Sequence, residues 1–347
     1  MLPATTPAVP LAVGLHPLLV AVPPPASPAG GPFAVVAADL DIADRIFAAT
    51  LAPYPPPVGD LVGHLKHYRG KRLRPALLLL TARAVGRVTP AHHTLAAVVE
   101  MIHTATLVHD DVLDDAATRR HVRTVNAGWG NKASILFGDL LFTHAFHLSS
   151  GVDRQACQLI GEATNRVCAG ELKQVCGRGD LHLTEAAYFG ILDGKTAALT
   201  EVSTRLGALY AGASDEVAEH LAAFGRNLGM AFQVADDVLD LTGDAATAGK
   251  TLGTDLDQLK LTLPLIHALN HLPPAAADAL RGVLRSDTPG KAAAVSGALA
   301  ATGALAYARR RADEFARAAA AALGCLPRSE SRAVLETLPA WAVRRGA

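Results

Sequence analysis

From Ala38 onward apolar residues return every three or four positions, and Ala and Leu dominate over the alternation of β-branched residues that strands would need. The pattern predicts helices and few strands. Helical segments are expected over Leu95 to Asp115, Ala133 to Ser149, Thr184 to Gly212, Glu216 to Leu241 and Ala306 to Leu323. Many of these are apolar nearly all round, which suits interior helices. Breaks fall at Pro53 to Pro57, near Gly128 and Gly130, at Gly177 to Asp180, over Thr242 to Gly253, and at Pro273 with Pro274. The expected fold class is all-α, a single large helical bundle, with no repeat of fixed period.

Residues 1 to 35 stand apart. Pro3, Pro7, Pro10, Pro17, Pro23, Pro24, Pro25, Pro28 and Pro32 punctuate them, and the first charged residue is Asp39. This composition predicts a disordered tail ahead of one folded unit, 36–347. The apolar run Leu11 to Val22 is interrupted by Gly14, His16 and Pro17, and the first Lys or Arg is Arg45, so no basic region precedes it as in a secretory signal. It is also shorter than the roughly 20 apolar residues that span a bilayer. The reading is a soluble chain without stable membrane insertion.

With 347 residues, half of them hydrophobic, 18% charged and a mean hydropathy of +0.24, the chain can bury a large core. Lys+Arg and Asp+Glu both number 32, and aromatics make up only 5%. That balance points away from a nucleic-acid partner or an anionic membrane surface. Cys157, Cys168, Cys176 and Cys325 form no CxxC pair, which suits reduced thiols in the cytoplasm rather than a disulfide framework or sulfur-bound metal.

One motif occurs twice. Asp110-Asp111-Val112-Leu113-Asp114 and Asp236-Asp237-Val238-Leu239-Asp240 are identical, and each ends a strongly apolar helical run. At about 100° per residue, the first and fifth positions lie roughly 40° apart around a helix, one turn from each other. Their carboxylates share a face, and Asp115 adds another acid to the first copy. Like charges so placed cost a helix a few tenths of a kcal/mol per pair, and acids at a C-terminus oppose the dipole as well. A hard cation offsets that cost. Mg²⁺ is held by one or two carboxylates while substrate phosphates and water complete its octahedron. A single copy could be a solvated polar helix end; two identical copies make that reading much weaker.

Cations stand close by in sequence. Gly70-Lys71-Arg72-Leu73-Arg74-Pro75 combines a glycine that permits close backbone approach with Lys71 and Arg74, three residues apart. Arg119-Arg120-His121-Val122-Arg123 follows the first aspartate motif, where guanidinium forks could clasp phosphate. Either cluster alone could be a solvated surface.

These elements, with Glu100 to Asp111, Gly138-Asp139, Gly194-Lys195-Thr196, Phe232 to Asp237 and Lys260-Leu261-Thr262-Leu263-Pro264, appear in an order that resembles the trans-isoprenyl diphosphate synthases, the polyprenyl synthetase family. The resemblance runs from about Ala38 to the C-terminus. It implies the isoprenoid synthase fold, with the two aspartate motifs facing each other across a deep central cavity, usually in a homodimer. It also implies head-to-tail joining of an allylic diphosphate to isopentenyl diphosphate. By resemblance Asp110, Asp114 and Asp236 coordinate Mg²⁺, three ions per site, while Asp111, Asp237 and Asp240 orient ligands or water. Arg119, Lys195, Thr196, Gln233 and Lys250 hold the allylic diphosphate. Lys71, Arg74, His103 and Arg120 bind isopentenyl diphosphate, and Lys260 joins the substrate-binding set.

The expected chemistry is ionisation of the allylic C–O bond, capture of the cation by the double bond of isopentenyl diphosphate, and loss of a proton to the departing diphosphate. No side-chain nucleophile is needed. His109 reads as a packed or hydrogen-bonded neighbour of the acidic cluster rather than a base, and His103 as a neutral hydrogen-bond donor to diphosphate.

Ala105 and Thr106 are small where short-chain family members tend to carry aromatic plugs, which implies an open floor and a medium or long all-trans product for a quinone side chain. Ile102, Met101, Phe137, Leu141 or Phe142 could supply a plug lower down, Phe137 above all, and a C15 or C20 product is the alternative. Arg69 and the stretch Gly253 to Leu259 depart from the family's usual loops but spare the charged positions. The second intact aspartate motif argues against a terpene cyclase. The Gly-Lys-Arg-Leu-Arg-Pro element argues against a head-to-head synthase, and the complete set of charged residues against a non-catalytic partner subunit. Deleting residues up to Gly30 is expected to leave activity intact; a truncated protein that folds but no longer turns over contradicts the tail assignment.

Overall fold

The computed structural model describes residue 31 and residues 33–68, 70–119, 122–242, 254–286 and 291–344. The tail over 1–35 therefore falls almost wholly outside the described residues, as do Arg120, Lys250 and most of the Thr242 to Gly253 loop. The all-α expectation holds. Apart from a two-residue antiparallel ladder pairing Thr118–Arg119 with Val122–Arg123, every regular element among the described residues is helical.

The first ten helices are α1 Ala37–Leu51, α2 Val58–His64, α3 Leu73–Val85, α4 Pro90–Leu113, α5 Val125–Trp129, α6 Asn131–Val152, α7 Arg154–Cys176, α8 Glu185–Leu192, α9 Ala198–Leu209 and α10 Asp215–Thr242. Further helices follow at Thr254–Asp257, Leu263–His271, Pro274–Arg285, Lys291–Thr302, Ala304–Ala322 and Glu330–Arg344. Helix α3 buries Leu77, Leu78, Leu79 and Leu80 completely and packs between α4 and α9; α4 lies along α6. Helix α10 is the spine. Leu221, Phe224 and Leu228 enter an apolar cluster with α3, α4 and α6, while Met230, Val234 and Val238 enter a second cluster with Leu263–His271 and Ala304–Ala322. No helix among the described residues is long and apolar enough to cross a membrane.

Two differences from the predicted helices have physical causes. Helix α4 starts five residues before Leu95, because Thr89 and the His92 side chain form a capping box and Pro90 opens the first turn. The segment Thr184 to Gly212 is not one helix: Asp193–Ala197 forms a π turn between α8 and α9. There α7 crosses so closely that a Cβ on Gly170 would stand 2.4 Å from the Lys195 nitrogen, and one on Gly194 would stand 2.6 Å from the Arg166 carbonyl oxygen. The widened turn exposes Lys195 and Thr196 to the interior, a common use of π bulges.

Candidate active site

The C-terminal ends of α4 and α10 bring the two aspartate motifs to one cavity. It has a volume of about 670 Å³, and its wall carries Asp110, Asp236, Lys71, Arg74, His103, Arg119, Lys195, Thr196, Gln233 and Thr106. An adjoining pocket of about 130 Å³ is lined by Asp236, Asp237, Asp240, Lys195, Gln233 and Lys260. A groove of about 500 Å³ between α10 and the two C-terminal helices has none of these aspartates on its wall.

Within each motif the aspartates divide by orientation. Asp110 and Asp236 line the larger cavity. Burial pushes Asp110 up to about 6, with Glu171 and Asp114 adding to the rise and Lys195 and Arg119 opposing it. The second aspartates leave the larger cavity: Asp111 turns into the protein, while Asp237 lines only the smaller adjoining pocket. Asp111 is fully buried, accepting from the Tyr68 hydroxyl at 2.7 Å and from Arg119 Nε at 2.8 Å. Asp237 accepts from the Tyr188 hydroxyl at 2.6 Å and from Gln233 Nε2 at 2.9 Å, and Gln233 Oε1 accepts from Thr196 at 2.9 Å. Burial, reinforced by Asp255, pushes Asp237 up to about 7.

The fifth positions differ. Asp114 Oδ1 is paired with Arg178 at 2.7 Å and with Lys260 at 3.1 Å. Asp240 is buried and accepts from the Asp255 backbone nitrogen at 3.4 Å. Lys260 thus spans from the first motif to Asp255, which stands 3.9 Å from its ammonium.

Among the cations, Lys195 lies 2.6 Å from Glu171 and donates to Gln174 at 2.9 Å. Burial works against its charge, but Asp110, Glu171 and Asp114 outweigh burial and raise its pKa. Arg74 is held below the ordinary arginine value by burial, against the pull of Glu100 and Asp110, and its Nε has no hydrogen-bond partner among the described residues. Arg72 lines the cavity beside Lys71 and Arg74, with its guanidinium paired with Asp44 at 2.8 Å. The Lys71 ammonium lies over the Trp341 ring, 5.2 Å from its centroid.

Of the chain-length candidates only Thr106 reaches the cavity wall, beside Leu107, Val167 and Leu228. Ala105, Ile102 and Phe137 are buried in the surrounding core and do not line it. His109 packs as expected: its Nε2 lies 3.1 Å from the Ile135 carbonyl oxygen, against Gly138, where a Cβ would fall 2.2 Å from the ring.

Glu171, Gln174, Arg178, Tyr68, Tyr188 and Trp341 also belong to the site, and sequence reasoning missed them. The readable signal was in α7, where Glu171 and Gln174 share a face at three-residue spacing.

The donor set fits Mg²⁺. Hard carboxylate oxygens of Asp110 and Asp236 share one cavity wall with the cations Lys71, Arg74, Arg119 and Lys195, a set that suits a hard divalent ion bound together with an anionic ligand.

The polyprenyl synthetase family model matches residues 56–301. The octaprenyl diphosphate synthase of Escherichia coli is 40% identical over 292 residues, covering 82% of this chain and 90% of that protein. The crystal structure of a decaprenyl diphosphate synthase from Rhodobacter capsulatus superposes with a TM-score of 0.85 at 34% identity, over 90% of this chain and 98% of that one. A polyprenyl synthase from Caulobacter crescentus, solved with calcium and isoprenyl diphosphate, gives a TM-score of 0.84 at 34% identity, over 91% and 97% of the two chains.

Proposed function

The chain belongs to the polyprenyl synthetase family and is a prenyltransferase, and on that premise we propose that it condenses an allylic diphosphate with isopentenyl diphosphate, head to tail and all-trans. The single observation that carries the reading is the presence of Asp110 and Asp236 on the wall of one cavity together with Lys195, Arg119 and Arg74. Residues 36–347 act as the catalytic domain, with 1–35 outside it.

Lys195, Arg119, Thr196 and Gln233 hold the allylic diphosphate against the aspartate walls, and Lys250, which lies outside the described residues, is assigned to the same group by the family resemblance alone. Lys71, Arg74, His103 and Arg120 hold isopentenyl diphosphate. Lys260 keeps Asp114 in place. Asp110, Asp114 and Asp236 would hold Mg²⁺, three ions per site, which when bound supplies Lewis-acid neutralisation of the leaving diphosphate. The allylic C–O bond breaks with its electron pair leaving on oxygen, the isopentenyl double bond attacks the cation, and the proton passes to the released diphosphate. The apolar floor keeps water from the cation. Lys195 meets the diphosphate by exchanging the Glu171 carboxylate for phosphate oxygen.

A medium or long product for a quinone side chain fits the small Thr106 on the wall and the octaprenyl and decaprenyl products in the names of the relatives. Thr106→Phe is expected to fill the floor and stop growth at about C15 to C20. Mass spectrometry of dephosphorylated products checks this, and unchanged product lengths would place the floor elsewhere. A cytoplasmic homodimer is the proposed assembly, supported by free cysteines and by Ile135 and Leu136, 46% and 69% exposed on α6. The direct test incubates the purified protein alone with labelled isopentenyl diphosphate and an allylic primer. Chelator-sensitive, Mg²⁺-restored incorporation is expected, and its absence with every primer would support a partner-subunit role instead.

A further inference from the structure

The two halves of the site share a feature that their identical pentapeptides do not themselves provide. In each, the inward aspartate uses one oxygen to accept from a tyrosine hydroxyl and the other to accept from a side chain on the cavity wall. Asp111 Oδ2 takes Tyr68 at 2.7 Å while Oδ1 takes Arg119 at 2.8 Å; Asp237 Oδ2 takes Tyr188 at 2.6 Å while Oδ1 takes Gln233 at 2.9 Å. The tyrosines come from unrelated places. Tyr68 precedes the Gly70-Lys71 loop, and Tyr188 lies in α8. Both are buried, 4% and 3% exposed, and neither lies on the wall of the larger cavity, although Tyr188 borders the smaller adjoining pocket beside Asp237 and Gln233.

A buried carboxylate that accepts from one side only can rotate about its last torsion, and the partner side chain moves with it. A second donor on the opposite oxygen fixes the plane. We infer that Tyr68 and Tyr188 are positioning residues for the allylic diphosphate, acting through Asp111 on Arg119 and through Asp237 on Gln233 and Thr196. The inference rests on the proposed function, in which Arg119, Gln233 and Thr196 meet that diphosphate. Burial raises both phenols, so they remain donors throughout the working range. Tyr68 has a second tie, accepting from the Val125 nitrogen at 3.0 Å, so its loss should also loosen the start of α5.

The test uses Tyr68→Phe and Tyr188→Phe in the full chain, each of which removes a hydroxyl and leaves the ring. KM for the allylic primer is expected to rise about tenfold in each, with KM for isopentenyl diphosphate changed less than about twofold. Calorimetric titration with Mg²⁺ and inorganic diphosphate should show a matching loss. In a Gln233→Ala background, Tyr188→Phe should add less than about twofold, because its effect passes through Gln233. Unchanged constants for both substrates, or equal rises in both KM values with a lowered melting temperature, would reduce the tyrosines to structural bonds and overturn the inference. If the wild type condensed no primer, the proposed function would fall, while the diphosphate titration would still decide whether the tyrosines position its ligands.

Discussion

Asp110→Asn is expected to remove turnover by on the order of a thousandfold while making the metal-free protein more stable at neutral pH. The catalytic loss follows from deleting one wall of the metal and diphosphate site, where preorganised charge supplies most of the acceleration. The stability gain follows from the carboxyl's environment. Its pKa in the folded protein is pushed up to about 6 from an ordinary 3.8, chiefly by burial. Between those values the folded state binds the proton more tightly than the unfolded chain does, so Asp110 lowers stability as pH rises from about 4 through 6. Above pH 7 the full penalty is present, on the order of 2 to 3 kcal/mol. Melting in chelator checks this: the variant should melt above wild type at pH 7.5, and the gap should close near pH 4. A variant that melts lower at pH 7.5 would mean that Asp110 is a stabilising group.

Gly170→Ala should be the most damaging change among residues that touch no substrate. The added methyl would meet the Lys195 nitrogen at 2.4 Å, the Gly194 carbonyl carbon at 3.0 Å and the Ile191 carbonyl oxygen at 3.1 Å. All three are backbone atoms, so no side chain can swing aside and the π turn itself must move. Overpacking of this kind costs about 1 to 3 kcal/mol. A 1 Å displacement of Lys195 and Thr196 should lower kcat/KM roughly a hundredfold. Gly161 on the same helix has open space where its Cβ would be, so Gly161→Ala should leave activity unchanged and add up to about 1 kcal/mol. Denaturant midpoints and turnover of the two variants check the contrast; equal behaviour would show that the close crossing is not what shapes the turn.

The fold class and both aspartate walls were legible because their signals are local. Apolar spacing marks α4, α6 and α10 within a few residues, and each pentapeptide is contiguous. The π turn was not legible, since it arises from Gly170 on α7 meeting Gly194 more than twenty positions later, a contact with no signature in either segment. The inward aspartates were hard to separate from the outward ones for a similar reason. Asp111 and Asp237 look like Asp110 and Asp236 in sequence, and what turns them inward is Tyr68, Tyr188, Arg119 and Gln233, of which only the last two stood out as cavity residues. Of the two small residues expected at the cavity floor, Thr106 reaches the wall and its neighbour Ala105 does not. Sequence reasoning could not place Phe137, whose ring packs into the core around the cavity rather than onto its wall.

The most direct test of the central claim is product sizing. Purified protein with Mg²⁺ and labelled isopentenyl diphosphate would be given C5, C10, C15 and C20 allylic primers in turn, and the dephosphorylated products measured by mass spectrometry. All-trans products beyond C25 that require Mg²⁺ are expected. Products ending at C15 or C20 would contradict the open floor at Thr106, and no condensation with any primer would contradict the catalytic reading of the two aspartate walls.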